Sequence, residues 1–380
     1  MWRQPLSTGV RRPRPIVPRL SRRGDGQGPE AGTIDVMGAA AASRSGVESA
    51  RRPQTDPLPW GLQLGRRGAG MPTLPGLLCD LATGQGGVLS WPQLHRAGLS
   101  PSEVSRLVAH EVLVRVRRGG FVTGELWRAA DPNRRFALTV RAALLVRPHD
   151  AASHQAAFAL SDLPLWGVDL RRVDLHARVT RRRAKADLRL HPWDDAARLE
   201  LIGGARSLAI AESAPLVATA GSLEGAVVAV DAALRRGYCT VEELVSVVAR
   251  LGQRGCPGIG RARRLIASLD PRAESPGESR VRMFFMAWGV PWTSQVTIRD
   301  ACGQFVARVD FLVDRWVVVE FDGRMKYDDP QVLWAEKRRE DALRALGYEV
   351  VRLTWSDLDH PERVARLIRE ARGRAAARVR

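Results

Sequence analysis

The chain has 380 residues, 45% of them hydrophobic, which exceeds one ordinary domain and supplies enough apolar side chains for sizeable cores. A formal net charge of +18 argues for a polyanionic partner, because Lys and Arg neutralise phosphate and release its counterions. Lys185, Lys326 and Lys337 are the lysines, so the basicity is nearly all arginine, an excess that biased codon usage also produces.

Cys79, Cys239, Cys256 and Cys302 show no C-x-x-C spacing, and no histidine lies near enough to them in sequence to complete a zinc site. Neither a disulfide framework nor structural zinc is expected. No apolar run approaches the roughly 20 residues of a membrane span, and the N-terminus has no apolar signal core. The expectation is a reduced, cytoplasmic protein without membrane contact.

Residues 1–70 are rich in Arg, Pro, Gly and Ser and carry no sustained helical or strand period, so they read as a disordered leader. An over-extended start, with translation from Met71, is preferred to a transit peptide or a DNA-grasping arm.

Residues 71–128 read as a winged helix-turn-helix. Leu74, Leu77, Leu78 and Leu81 recur at helical spacing, Trp91 to Ala97 forms a second short helix, and Ser100-Pro101-Ser102-Glu103 is a capping box opening a third, which runs to about Glu111. Val112 to Val122 alternates around Arg118-Gly119-Gly120 as the hairpin of a wing. In that geometry Ser102, Ser105 and Arg106 face the DNA major groove, and Arg115, Arg117 and Arg118 touch phosphate. The stretch from about 73 to 124 resembles the N-terminal winged-helix domain of the AbiEi-type antitoxin family. That resemblance implies DNA binding, with a toxin or a repair or defence protein as a further partner. Small winged helices also serve as protein-docking modules, which leaves Arg106 a solvated helix residue.

Residues 129–270 form a mixed α/β middle region. Ser153-His154-Gln155 looks like a capped helix start, the 170s and 180s alternate as strands beside the basic run Arg181-Arg182-Arg183, and helices follow over about 222–236 and 240–251. His154 reads as a capping or packing histidine, because no partner cluster sits near it in sequence. Gly258-Ile259-Gly260-Arg261 lacks the preceding strand and the G-K-[ST] ending of a phosphate loop and reads as a link into a basic helix.

Residues 271–380 carry the chemistry. Helix 276–288, strands 296–298, 304–312 and 317–321, helix 330–346, strand 349–353 and helix 361–372 give an α-β-β-β-α-β order, with Asp310, Glu320 and Asp322 set into apolar strand sequence. Buried carboxylates need a cation or strong hydrogen bonds to offset desolvation. Asp310 and Glu320 share a face only if the loop joining their strands has an odd number of residues, as a Val313-Asp314-Arg315 loop does.

Glu278, Val309-Asp310-Phe311, Val319-Glu320-Phe321-Asp322-Gly323, Arg338, Asp341, Leu343 and Gly347 to Trp355 together resemble the Vsr-like endonuclease superfamily, and within it domain-of-unknown-function family 559. The resemblance implies a PD-(D/E)XK restriction-endonuclease-like core in which Asp310, Glu320 and Asp322 hold Mg²⁺ or Mn²⁺ for phosphodiester hydrolysis. Asp322 stands where the family's pattern has a lysine, so Lys326 or Lys337 would supply the missing cation, and the departure also admits an inactive domain. Glu278 is either a helix cap, as third helical residue after Ser275, or a further catalytic acid, and Arg338 would reach the scissile phosphate. Trp355 either packs the sheet edge or stacks on a base.

The expected fold class is multidomain α+β. The expected function is a metal-dependent DNA endonuclease delivered by the winged helix, in repair or in defence against foreign DNA. The alternative is a non-catalytic DNA-binding regulator, antitoxin-like, on a degenerate nuclease fold.

Overall fold

The computed structural model describes residues 72–323 and 330–379. The reading of the leader and the role given to Lys326 lie outside the described residues.

The first module runs α1 (Gly76–Gly84), β1 (Val88–Ser90), α2 (Trp91–Arg96), α3 (Pro101–Ala109), β2 (Leu113–Arg117) and β3 (Gly120–Thr123). Its strands pair antiparallel in the order β1-β3-β2, so the wing hairpin closes on a short strand that the sequence reading did not place. Leu78, Leu89, Leu94, Val104, Leu107, Leu113 and Phe121 form its buried core. The box opening α3 is present: the Glu103 carboxylate accepts from the Ser100 amide at 2.8 Å while the Ser100 hydroxyl accepts from the Glu103 amide at 3.3 Å.

The middle module continues with α4 (Gly124–Ala129), α5 (Pro132–Val146), β4 (Ala151–Ala152), α6 (Gln155–Leu160), β5 (Val173–Ala177), β6 (Arg183–Ala184), β7 (Leu188–Pro192), β8 (Leu199–Ile202), β9 (Ala205–Leu208), α7 (Ile210–Ala220), α8 (Leu223–Arg235), α9 (Val241–Gln253) and α10 (Ile259–Ala267). Its strands form a six-stranded mixed sheet in the order β6-β7-β5-β4-β9-β8. Gly203 and Gly204 join β8 to β9 as a two-residue turn with positive φ at both positions (53° and 76°), which glycine adopts without a Cβ penalty. The α5 and α7 helices were not anticipated. Nearly every side chain of α7 is buried and Pro215 lies inside it, so it offers neither an amphipathic period nor a clean propensity signal.

The last module runs α11 (Pro276–Trp288), β10 (Trp292–Arg299), β11 (Phe305–Val313), β12 (Val317–Phe321), α12 (Pro330–Ala345), β13 (Glu349–Leu353), α13 (Trp355–Leu358) and α14 (Pro361–Val379). Its sheet order is β10-β11-β12-β13, antiparallel except for the parallel β12/β13 pair that α12 connects. Phe311, Val313, Val317 and Val319 pack with Val281 and Phe285 of α11 and with α14, whereas Val318 packs with Leu343 of α12. The sheet is therefore covered on both faces, and the strand residues alternate between two cores. At the mouth of this layer Gly277 lies so close to Phe321 that an added Cβ would stand 2.0 Å from its ring. No helix among the described residues is long and apolar enough to cross a membrane.

Candidate functional site

On α3, Val104 and Leu107 are buried while Ser102, Ser105 and Arg106, three and four residues apart on one face, are exposed. The Ser105 hydroxyl donates to the Pro101 carbonyl at 2.8 Å and the Ser102 hydroxyl lies 3.0 Å from that of Ser100, so both are held in place yet face solvent. On the wing Arg115 is exposed with its guanidinium 5.5 Å from the Phe121 ring centre, and Arg118 is exposed at the turn.

Arg117 departs from the expected phosphate role. Its side chain is only 9% accessible and lies 3.8 Å from Asp187 of the middle module, and burial pulls its pKa below the usual guanidinium range. The reason is local. The β2/β3 register slips by one residue between Arg115 and Arg117, and one extra residue in a strand inverts the alternation beyond it. Two arginines that regular alternation would set side by side therefore point to opposite sides.

In the last module, β11 and β12 pair Phe311↔Val319, Leu312↔Val318 and Val313↔Val317, leaving a three-residue turn, Asp314 to Trp316. The turn lies one residue later than anticipated, with odd length kept, and Asp314 and Arg315 take positive φ (48° and 66°) to close it. One step beyond Phe311↔Val319, Asp310 stands opposite Glu320, and an Asp310 oxygen accepts from the Phe321 amide at 2.8 Å. Glu278 is buried at the start of α11. One of its oxygens accepts from the Glu274 amide and from Gln295 Nε2, both at 2.9 Å, and the Ser275 hydroxyl caps its amide at 3.2 Å. Desolvation raises all three carboxyl pKa values above the usual range, with the Asp310 charge adding to the rise at Glu278 and the Glu320 charge to that at Asp310.

Glu320 is ion-paired. Arg339 Nη2 donates to both oxygens of Glu320 at 2.8 and 2.9 Å, and Arg339 Nη1 also reaches the Arg308 carbonyl at 3.4 Å. Asp322 is half-buried, its amide extending the β12/β13 ladder to the Leu353 carbonyl at 2.8 Å. Asp310, Glu320 and Asp322 do not bring three ligand oxygens within 4.8 Å of one another; among the described residues the group that meets this separation is His154, Asp174 and His191. As arranged, a Mg²⁺ or Mn²⁺ ion at Asp310 and Glu320 would compete with Arg339 for the Glu320 oxygens.

Arg339, the neighbour of Arg338, is the arginine that pairs with Glu320. It lies one helical turn from buried Leu343 and so shares the face of α12 turned to the sheet, while Arg338 is exposed. Lys337 is also exposed, its ammonium 5.8 Å from the Trp334 ring, rather than at the carboxylates. Trp355 packs edge-on to Phe321 at 4.9 Å and stacks on Trp166 of the middle module at 5.3 Å.

A second cluster went unread in the sequence because its members are distant along the chain. His154 occupies the cap position of α6 without capping it, at φ 52° and ψ −138°, a region that glycine alone enters freely. Its ring lies 4.2 Å from that of His191, and His191 Nε2 is 2.7 Å from Asp174 Oδ1. Burial holds His154 well below the usual imidazole range and lowers His176 to about 4, so both are neutral at pH 7.

Comparison with known proteins places the first module. Residues 78–121 match the model of a transcriptional regulator family, the AbiEi antitoxin. Two uncharacterized proteins of Mycobacterium tuberculosis, from strains CDC 1551 and H37Rv, are each 32% identical over 185 residues. The matched region is 48% of this chain, and it spans 64% of the length of each relative.

Proposed function

We propose that the chain is a DNA-binding regulator, antitoxin-like, in which the C-terminal α/β module acts as a scaffold. The observation that carries this reading is the exposed face of α3, with Ser102, Ser105 and Arg106, flanked by Arg115 and Arg118 of the wing, inside the segment that matches the antitoxin regulators. A helix end presenting short polar side chains and an arginine suits base edges, and arginines on a hairpin suit the flanking phosphates. A toxin protein is the further partner implied by that likeness.

The pairing of Arg339 with Glu320 supports a scaffold over a nuclease, because a metal ion at Glu320 would have to compete with the guanidinium for its oxygens. A second reading, a metal-dependent endonuclease, draws on the buried Glu278 and Glu320 and the half-buried Asp310 gathered at one end of the sheet; it requires Arg339 to leave Glu320 when metal and DNA bind. Catalytic roles for Asp322, Lys326 and Arg338 belong to that reading alone.

The test is incubation of the full chain with supercoiled plasmid in Mg²⁺, Mn²⁺ or EDTA beside the Glu320→Ala variant, with a gel-shift assay on the same preparation. Salt-sensitive DNA binding without cleavage supports the regulator. Metal-dependent nicking that is lost in the variant overturns it in favour of the nuclease.

A further inference from the structure

We infer that the middle module holds a divalent transition-metal ion of the zinc class between His154, Asp174 and His191. This rests on a different module and on different residues from the DNA-binding reading. The three side chains come from the β4–α6 junction, from β5 and from β7, so neither local sequence nor a single turn brings them together. The sheet does: β5 and β7 run parallel, and each of their residues faces its partner, with Asp174 beside Arg189 and His176 beside His191. One ligand atom from each of the three residues lies within 4.8 Å of the others, so side-chain shifts of a few tenths of an ångström bring all three onto one ion with bonds near 2.0–2.2 Å.

The surrounding hydrogen bonds orient the donors as metal sites require. Ser153 Oγ lies 3.0 Å from His154 Nδ1, which leaves Nε2 as the coordinating nitrogen. Gln155 Nε2 donates to Asp174 Oδ2 at 2.7 Å and Arg189 Nη1 reaches the same oxygen at 3.4 Å, so the other oxygen, Oδ1, is the one turned to His191. Asp174 is fully buried and, among the described residues, the one cation beside it, Arg189, reaches only Oδ2, at 3.4 Å, so Oδ1 gains more from a metal ion than from a neutral imidazole N–H. His176 is the independent sign of a ligand. It is 93% buried by its 7% accessibility, its Nδ1 is enclosed without a hydrogen-bond partner, and its ring centre is 5.8 Å from that of His191. It lies beside the three-residue group rather than within it. The left-handed backbone of His154 has the same logic, since strain of this kind persists where it fixes a side chain in a site. Two imidazoles with one carboxylate and no thiolate select zinc-class ions over Mg²⁺ or Ca²⁺.

The experiment uses the full chain purified without chelator. Metal is measured by mass spectrometry, and Co²⁺ is then titrated into the stripped protein while its visible d–d absorption is followed, alongside His191→Ala, Asp174→Asn and a control at the exposed His149, His149→Ala. The expected result is about one equivalent of bound metal with an intense low-symmetry Co²⁺ band in wild type and control, and at least a tenfold loss of affinity in the two site variants. Should a variant fail to fold by circular dichroism, the wild-type Co²⁺ spectrum decides. No metal retained and no Co²⁺ band in the folded wild type would overturn the inference, as would equal binding by wild type and folded site variants.

Discussion

Glu320 gives both of its carboxylate oxygens to one nitrogen of Arg339, at 2.8 and 2.9 Å, joining the end of β12 to the face of α12. The carboxylate side is 11% accessible and the guanidinium side 36%, so the two partners differ in what they lose when separated. A nearly buried acid stripped of its cation keeps the full desolvation penalty, whereas the arginine swings into water. Arg339→Ala is therefore expected to destabilise the protein by about 1–3 kcal/mol in urea unfolding and Glu320→Ala by less, with the double variant no worse than Arg339→Ala alone. Additive losses in that cycle would show that the pair is not coupled.

The wing and α3 predict a divided outcome among arginines. Arg106→Ala, Arg115→Ala and Arg118→Ala are each expected to weaken DNA binding, and each phosphate contact removed lowers the slope of log affinity against log salt by about 1. Arg117→Ala is expected to leave that slope unchanged and to lower thermal stability instead, because its guanidinium is turned to Asp187. Fluorescence anisotropy across a salt series, with a melting curve for each variant, separates the two effects.

The helices and strands flanking the candidate sites were largely legible. Capping boxes at Ser100 and Thr240, the odd hairpin at Asp310 and Glu320, and the strand Glu349–Leu353 follow from local residue patterns, which the structure reproduces with shifts of a residue or so. What escaped depends on information that no local pattern holds. The slip after Arg115 reverses Arg117, the phase of α12 selects Arg339 over Arg338, and the sheet order brings His154, Asp174 and His191 together across the chain. Thus the acid pair could be placed by parity, but its arginine partner could not.

Glu278 offers a pH test. Burial, reinforced by the neighbouring Asp310 charge, raises its pKa, so the folded state holds its proton more tightly than the unfolded chain does. Its stabilising contribution is complete below the ordinary glutamate pKa and is lost as pH rises through the raised value. Glu278→Gln keeps an acceptor for the Glu274 amide and cannot ionise. Its stability relative to wild type is expected to grow from pH 4 to pH 7, and a flat difference across that range would mean that Glu278 titrates normally.

Gly277 sits where α11 meets the end of β12, and its missing side chain is what lets the Phe321 ring approach the helix start. Gly277→Ala would set a methyl 2.0 Å from that ring, and the ring is itself pinned edge-on to Trp355 at 4.9 Å, so it has little room to yield. The expected loss is about 1–3 kcal/mol from overpacking, despite the better helix propensity of alanine. Phe321→Leu in the Gly277→Ala background removes the clashing edge and should recover part of that loss, whereas the same change in wild type opens a gap and is destabilising. The sign reversal of Phe321→Leu between the two backgrounds, read from urea midpoints, is the signature of a steric contact. A loss of the same size in both backgrounds would place the cost in the backbone of Gly277 rather than in its contact with Phe321.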